Sequence, residues 1–168
     1  NLGNGSLASP HIRDYAHALL RDLLRAYPDL DGLRVDWPEY PPYLLDDVFL
    51  DFGAPAREAA KRLGFDFDCM TRAAGAVYKT HHGGLADRLL NSWLEGDGGR
   101  FRLARAVSDH PGIGDWLRFK ATLVDELLAG FRRTITDAAG KDKELMPNAF
   151  PPPFTLASGF DFARAARH

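Results

Sequence analysis

The chain has 168 residues, 45% of them apolar and 26% charged, and 21 basic against 23 acidic side chains leave a net charge of -2. That balance is ordinary for one globular domain with a real core, and it argues against a nucleic-acid binder, whose phosphate contacts call for a basic excess. No apolar run approaches the roughly 20 residues that span a bilayer, the opening residues do not read as a signal peptide, and the single Cys69 excludes an intrachain disulfide.

Residues 1–8 are small and polar and read as loop. Ser9-Pro10 predicts a helix start, with a capping Ser and a Pro where a missing N–H costs nothing. Ile12, Tyr15, Ala16, Leu19, Leu23, Leu24 and Tyr27 recur at three- and four-residue spacing and predict one apolar face. Pro28 stops the helix, and Asp29-Leu30-Asp31-Gly32 reads as a turn. Residues 33–37 alternate apolar and charged, the signature of a strand. Residues 38–53 are rich in proline and aromatics and predict a long loop, where function is disproportionately found. Short helices are expected over 55–63, ended by Gly64, and over 66–80 and 85–94, before a flexible turn at 96–99. The strongest helix is expected over 115–139, where Trp116, Phe119, Leu123, Leu127, Leu128, Phe131, Ile135 and Ala138 sustain the period. Gly140 caps it. A second strand is expected over 143–150, halted by Pro151-Pro152-Pro153, and the last nine residues read as a helix cut short.

Strands that alternate with helices imply parallel pairing through crossovers. A full barrel needs about 250 residues. The fold expected is therefore α/β: part of a (β/α)8 barrel, with helical insertions after its first strand. Residues 1–168 would be the central segment of one catalytic-type domain, incomplete at both ends. The two strands should be parallel members of one sheet.

Chemistry concentrates in Asp31-Gly32-Leu33-Arg34-Val35-Asp36-Trp37-Pro38-Glu39-Tyr40. Alternation puts Arg34 and Asp36 on one strand face and Leu33 and Val35 on the other. If Leu33 and Val35 meet the helices, Arg34 and Asp36 point into the barrel, where charges must be paired. Arg34 then holds Asp36 ionised and oriented, and Asp36 lies at the strand's C-terminal end, where barrel active sites are built. Glu39 is a candidate second carboxylate. Trp37, Tyr40 and Tyr43 supply flat faces on which the C–H-rich side of a sugar stacks, and Asn148, ending the second strand, can bond a sugar hydroxyl. The plainer alternative is an Arg–Asp plug, a covering loop and an Asn that satisfies turn backbone.

The run Asp31-Gly32-Leu33-Arg34-Val35-Asp36 resembles the fourth-strand motif of α-amylase-type glycoside hydrolases. That resemblance implies Asp36 as nucleophile and Arg34 as its orienting partner. In that family the general-acid glutamate ends the next strand. Here that strand ends in Asn148, which cannot donate a proton as an acid. Over 9–40, 54–80 and 114–162 the chain is similar to a broader group of bacterial glycoside-hydrolase-like barrels. The resemblance implies hydrolysis of O-glycosidic bonds in a carbohydrate, or a non-catalytic carbohydrate-binding or scaffolding barrel. No cofactor, metal or nucleic-acid partner is expected. Glycoside hydrolysis needs two carboxyl groups about 5–5.5 Å apart for retention or about 6.5–9.5 Å for inversion; besides Glu39, Asp161 or a residue of a later strand qualifies as the second.

Other signals are weaker. His81-His82 are adjacent, which suits no zinc spacing. Asp66-Phe67-Asp68 precedes a helix, where acids cap. Gly112-Ile113-Gly114 lacks the third glycine of a dinucleotide loop. Cys69 reads as a small buried side chain, and Arg100, Arg102 and Arg105 as a solvated face.

Overall fold

The structure, a computed structural model, describes residues 5–42, 45–80, 108–152 and 154–168. In chain order it contains helix α1 (Pro10–Ala26), strand β1 (Gly32–Asp36), a 3-10 turn (Leu45–Val48), helices α2 (Ala54–Leu63), α3 (Phe67–Thr80) and α4 (Gly112–Ala139), strand β2 (Glu144–Asn148), and short helices α5 (Phe154–Ser158) and α6 (Phe162–Ala165). The helix expected over 85–94, His81-His82 and Arg100, Arg102 and Arg105 lie outside the described residues.

Helix boundaries follow local chemistry. Ser9 is the N-cap of α1 with Pro10 at the first helical position, although the Ser9 hydroxyl makes no capping bond. Asp66 Oδ1 accepts from the Cys69 N–H at 2.8 Å, the capping role its position before α3 implies. Cys69 itself is half-buried. Gly64 and Gly140 end α2 and α4.

The α4 stripe forms the centre of the core. Trp116, Phe119, Leu123, Leu127, Leu128, Phe131 and Ile135 are all buried, with Met70 and Ala74 of α3 against them. Truncating such a side chain to Ala typically costs about 3–5 kcal/mol for Phe. α1 crosses α4 closely. A Cβ on Gly130 would lie 2.7 Å from the His17 ring, so a larger residue there would force that ring to move. His17 Nδ1 also meets Thr134 Oγ1 at 3.0 Å. Glu126 of α4 ties α1 and α2 to it, accepting from Arg13 at 3.0 Å and from both terminal nitrogens of Arg62 at 2.7 and 2.8 Å.

The α1 face differs from expectation. Leu20 and Leu24 are buried, whereas Ile12, Tyr15, Leu19, Leu23 and Tyr27 stay 37–70% exposed. α1 is apolar on more than one side, and only the side bearing Ala16, Leu20 and Leu24 meets the core.

β1 and β2 pair in parallel as expected, in the register Gly32↔Glu144 to Asp36↔Asn148. They do not belong to a (β/α)8 barrel. Among the described residues the chain is mostly helical, with one sheet of two strands. Two physical observations explain the difference. Among the described residues only one sheet face is covered: Leu33 is buried and Val35 and Leu145 are partly buried, while Arg34, Asp36 and Met146 face outward. Pro147 in β2 has no N–H to donate, which suits a sheet edge and not the closed ladder of a barrel.

Residues 49–52 do not hang free. Trp116 Nε1 donates to the Leu50 carbonyl at 2.7 Å, and the Phe49 and Phe52 rings stack on the Trp116 indole at 5.8 and 6.2 Å. The loop is thereby fastened across α4. No helix among the described residues is long and apolar enough to cross a membrane.

Candidate functional site

Strand alternation decides the first half of the motif. Arg34 and Asp36 share the outward face, with side chains 62% and 57% exposed. Arg34 Nε donates to Asp36 Oδ1 at 2.7 Å, and Asn148 Nδ2, opposite in the register, donates to the same oxygen at 3.1 Å. The expected Arg–Asp pair therefore exists, but it faces water and not an enclosed interior. The Arg34 hydrogen bond, then that of Asn148, holds the Asp36 carboxyl below its ordinary value. An ion pair this exposed adds little to stability.

Trp37 then breaks the alternation. Its φ is +53°, in the left-handed region that a bulky residue rarely occupies. Its N–H donates to the Asn148 carbonyl at 2.8 Å, and its ring stacks on Phe150 at 5.1 Å with planes 19° apart. Beyond this pivot the side chains turn inward. Glu39 is only 5% exposed. Its Oε1 accepts from the Phe150 N–H at 2.7 Å, while its Oε2 is buried without a hydrogen-bond partner. Burial raises the Glu39 pKa, opposed in part by the Phe150 amide and its own. Tyr40 is 3% exposed, and its N–H donates to the Ser158 carbonyl at 3.0 Å. Its hydroxyl is near Asp51 but does not reach hydrogen-bond geometry. Burial first, and the Asp51 charge next, push the phenol well above 10.

These groups line a cleft of about 290 Å³, together with Ser6, Leu50 and Asp51. Asp51 is 8% exposed and accepts from the Ser6 hydroxyl and, at 3.4 Å, from the Gly53 N–H. Behind Tyr40, the fully buried Lys120 of α4 closes the cluster. Its Nζ donates to the Val48 carbonyl at 2.8 Å and sits 4.9 Å from the Tyr40 ring centre and 4.6 Å from that of Trp116. Burial lowers the Lys120 pKa to about 7, against the opposing pull of Asp51. Gly159 (φ +85°) lets the chain pass this point, because a Cβ there would lie 3.0–3.1 Å from the Lys120 backbone and Cβ.

The structure thus divides the sequence-derived candidates. Arg34, Asp36 and Asn148 meet at the exposed strand end; Trp37, Glu39 and Tyr40 meet in the cleft. Tyr43 lies outside the described residues, and Asp161 instead caps α6, accepting from the Arg164 N–H at 3.1 Å. Three participants escaped the sequence reading. Lys120 was legible in principle: it lies four residues after Trp116 and three before Leu123, on the apolar stripe of α4, where a lysine is out of place. Ser6 and Asp51 carry no comparable signal, since only the fold brings them together. Among the described residues, no three His, Cys, Asp or Glu side chains converge to hold a metal ion.

An acid whose proton is favoured by burial, a second carboxylate, a phenol and an indole in one cleft are suited to proton transfer on a hydroxyl-rich ligand. Comparison with protein-family models, with curated proteins and with solved structures yields no match to this chain.

Proposed function

We propose that the cleft beside β1 is a carbohydrate site at which the chain hydrolyses O-glycosidic bonds, with Glu39 as the proton donor. The observation that carries this reading is the Glu39 carboxyl. It is nine-tenths buried, one oxygen is fixed by the Phe150 N–H, and the other is unpartnered in a residue that lines the cleft. Burial keeps its proton to higher pH than an ordinary carboxylic acid would. In this reading the Glu39 carboxylic O–H gives its proton to the glycosidic oxygen as the anomeric C–O bond breaks, and water then adds to the anomeric carbon and returns a proton to the Glu39 carboxylate. The Asp51 carboxylate opposes the positive charge developing on the sugar ring. Trp37, 48% exposed, offers apolar surface to the sugar. Arg34, Asp36 and Asn148 stand on the outward sheet face and take no part in proton transfer.

The test is hydrolysis of a panel of aryl glycosides and short oligosaccharides. Glu39→Gln should lower kcat by about 10²–10⁴-fold, and Asp36→Asn should leave it within a few-fold of wild type. If Asp36→Asn abolishes turnover and Glu39→Gln does not, the strand end is the reactive centre and the reading is wrong. A second reading is carbohydrate binding without turnover. The Ser6 and Gly53 donors already on Asp51 favour it. Saturable sugar binding with no hydrolysis of any panel member would establish it.

A further inference from the structure

The charge of the cleft is one-sided. Its ionisable lining groups, among the described residues, are Glu39, Tyr40 and Asp51, and no arginine, lysine or histidine lines it. Two cations approach from behind, and both are engaged elsewhere. Lys120 on α4 is directed to the Val48 carbonyl, with the Tyr40 and Trp116 rings around it. Arg13 on α1, which also acts on Tyr40 electrostatically, gives its guanidinium to the Leu7 and Leu123 carbonyls and to Glu126. Neither is placed as the bidentate clamp by which proteins recognise a carboxylate, sulfate or phosphate.

The unpartnered Glu39 Oε2 is a second, independent observation: the residue that carries it is nine-tenths buried and lines the cleft, and a buried oxygen without a hydrogen bond calls for a partner. A sugar hydroxyl satisfies it in either protonation state, since a hydroxyl both donates and accepts. A carboxylate on the sugar only accepts. It would face the Asp51 carboxylate as a like charge, with Glu39 beside it and no cation among the described lining residues to offset it.

Resting on the carbohydrate reading, we propose that the cleft selects uncharged sugars and excludes acidic ones, with Asp51 and Glu39 as the residues that set this specificity. Binding is measured by saturation-transfer NMR and calorimetry at pH 7 and 0.15 M salt. The probes are matched neutral and uronic-acid glycosides: p-nitrophenyl glucoside against glucuronide, and galactoside against galacturonide, in both anomers. In any pair that binds, the neutral member should bind at least tenfold tighter. Asp51→Asn should narrow the gap to about threefold, and Glu39→Gln gives the same comparison if the Asp51 variant does not fold. Equal or tighter binding of the uronic acid overturns the proposed specificity and leaves the carbohydrate reading standing. A gap unchanged in both variants also overturns it. If no member of any pair binds, the carbohydrate reading and the specificity fall together.

Discussion

The outer end of β1 and the cleft beside it hold two carboxylates only three positions apart, Asp36 and Glu39, in opposite surroundings. Asp36 stands in water between two donors, and its ionised form is favoured. Glu39 is buried with one donor on one oxygen, and its protonated form is favoured. The first environment stabilises a charge and asks nothing of a ligand. The second leaves an acceptor unsatisfied and is completed by one. The difference arises at Trp37, whose left-handed backbone ends the strand alternation and turns the following side chains inward. A motif read as a single site from its spacing therefore contains two environments, and the proposed chemistry uses the less comfortable one.

The largest expected effect concerns Lys120, behind the cleft. Its pKa is about 7 in the folded protein against an ordinary 10.5. Between those values the unfolded chain holds a proton that the folded chain lacks, so stability should rise with pH across this window. The limit is about 1.4 kcal/mol per pH unit. The contribution is complete above 10.5 and is lost as pH falls to 7. Lys120→Met should abolish the slope. Denaturant unfolding at pH 7, 8 and 9 checks it, and equal slopes in both proteins would show that Lys120 stays charged when folded.

Glu39 carries the opposite sign. Its folded pKa lies above 4.5, so the stability it contributes is full below 4.5 and is lost as pH rises through the folded value. At pH 7, well above 4.5, the burial of this carboxyl is a cost that Glu39→Gln removes. The variant should melt higher than wild type at pH 7, with the gain gone by pH 4. A variant that gains stability while losing turnover separates a functional acid from a structural one.

The local elements were legible because they rest on short-range chemistry. Ser9-Pro10 opens α1, Gly64 and Gly140 close α2 and α4, and period-2 alternation at Arg34 and Asp36 marks β1. Glu39, Tyr40 and Trp37 were recognisable as candidates from their chemical types, but not their separation from Asp36, because nothing in the sequence announces φ +53° at a tryptophan. The barrel expectation failed on a question of enclosure. Alternation shows that Arg34 and Asp36 share a face, and it is silent on whether further strands cover that face. The same limit applies to α1, where Leu20 and not Leu19 meets α4.

The pivot itself gives a smaller effect. Trp37→Ala and Trp37→Gly both remove the stack on Phe150, but glycine accepts the left-handed backbone. The glycine variant should be the more stable of the two, by about 1 kcal/mol, as measured by chemical denaturation. A less stable glycine variant would mean that residue 37 leaves this conformation once the indole is gone. The smallest effects belong to the strand end. Arg34→Ala and Asp36→Asn should each shift Tm by no more than about a degree, with any difference fading in high salt. A larger loss in thermal unfolding would indicate that this face is covered.

The separation of the two carboxylates is tested most directly by carboxyl-detected NMR titration of Asp36 and Glu39 in one sample. Asp36 should titrate below 3.8 and Glu39 above 4.5. A Glu39 resonance that titrates at or below 4.5 would contradict the account, because it would place that group in water and remove the acid from the cleft.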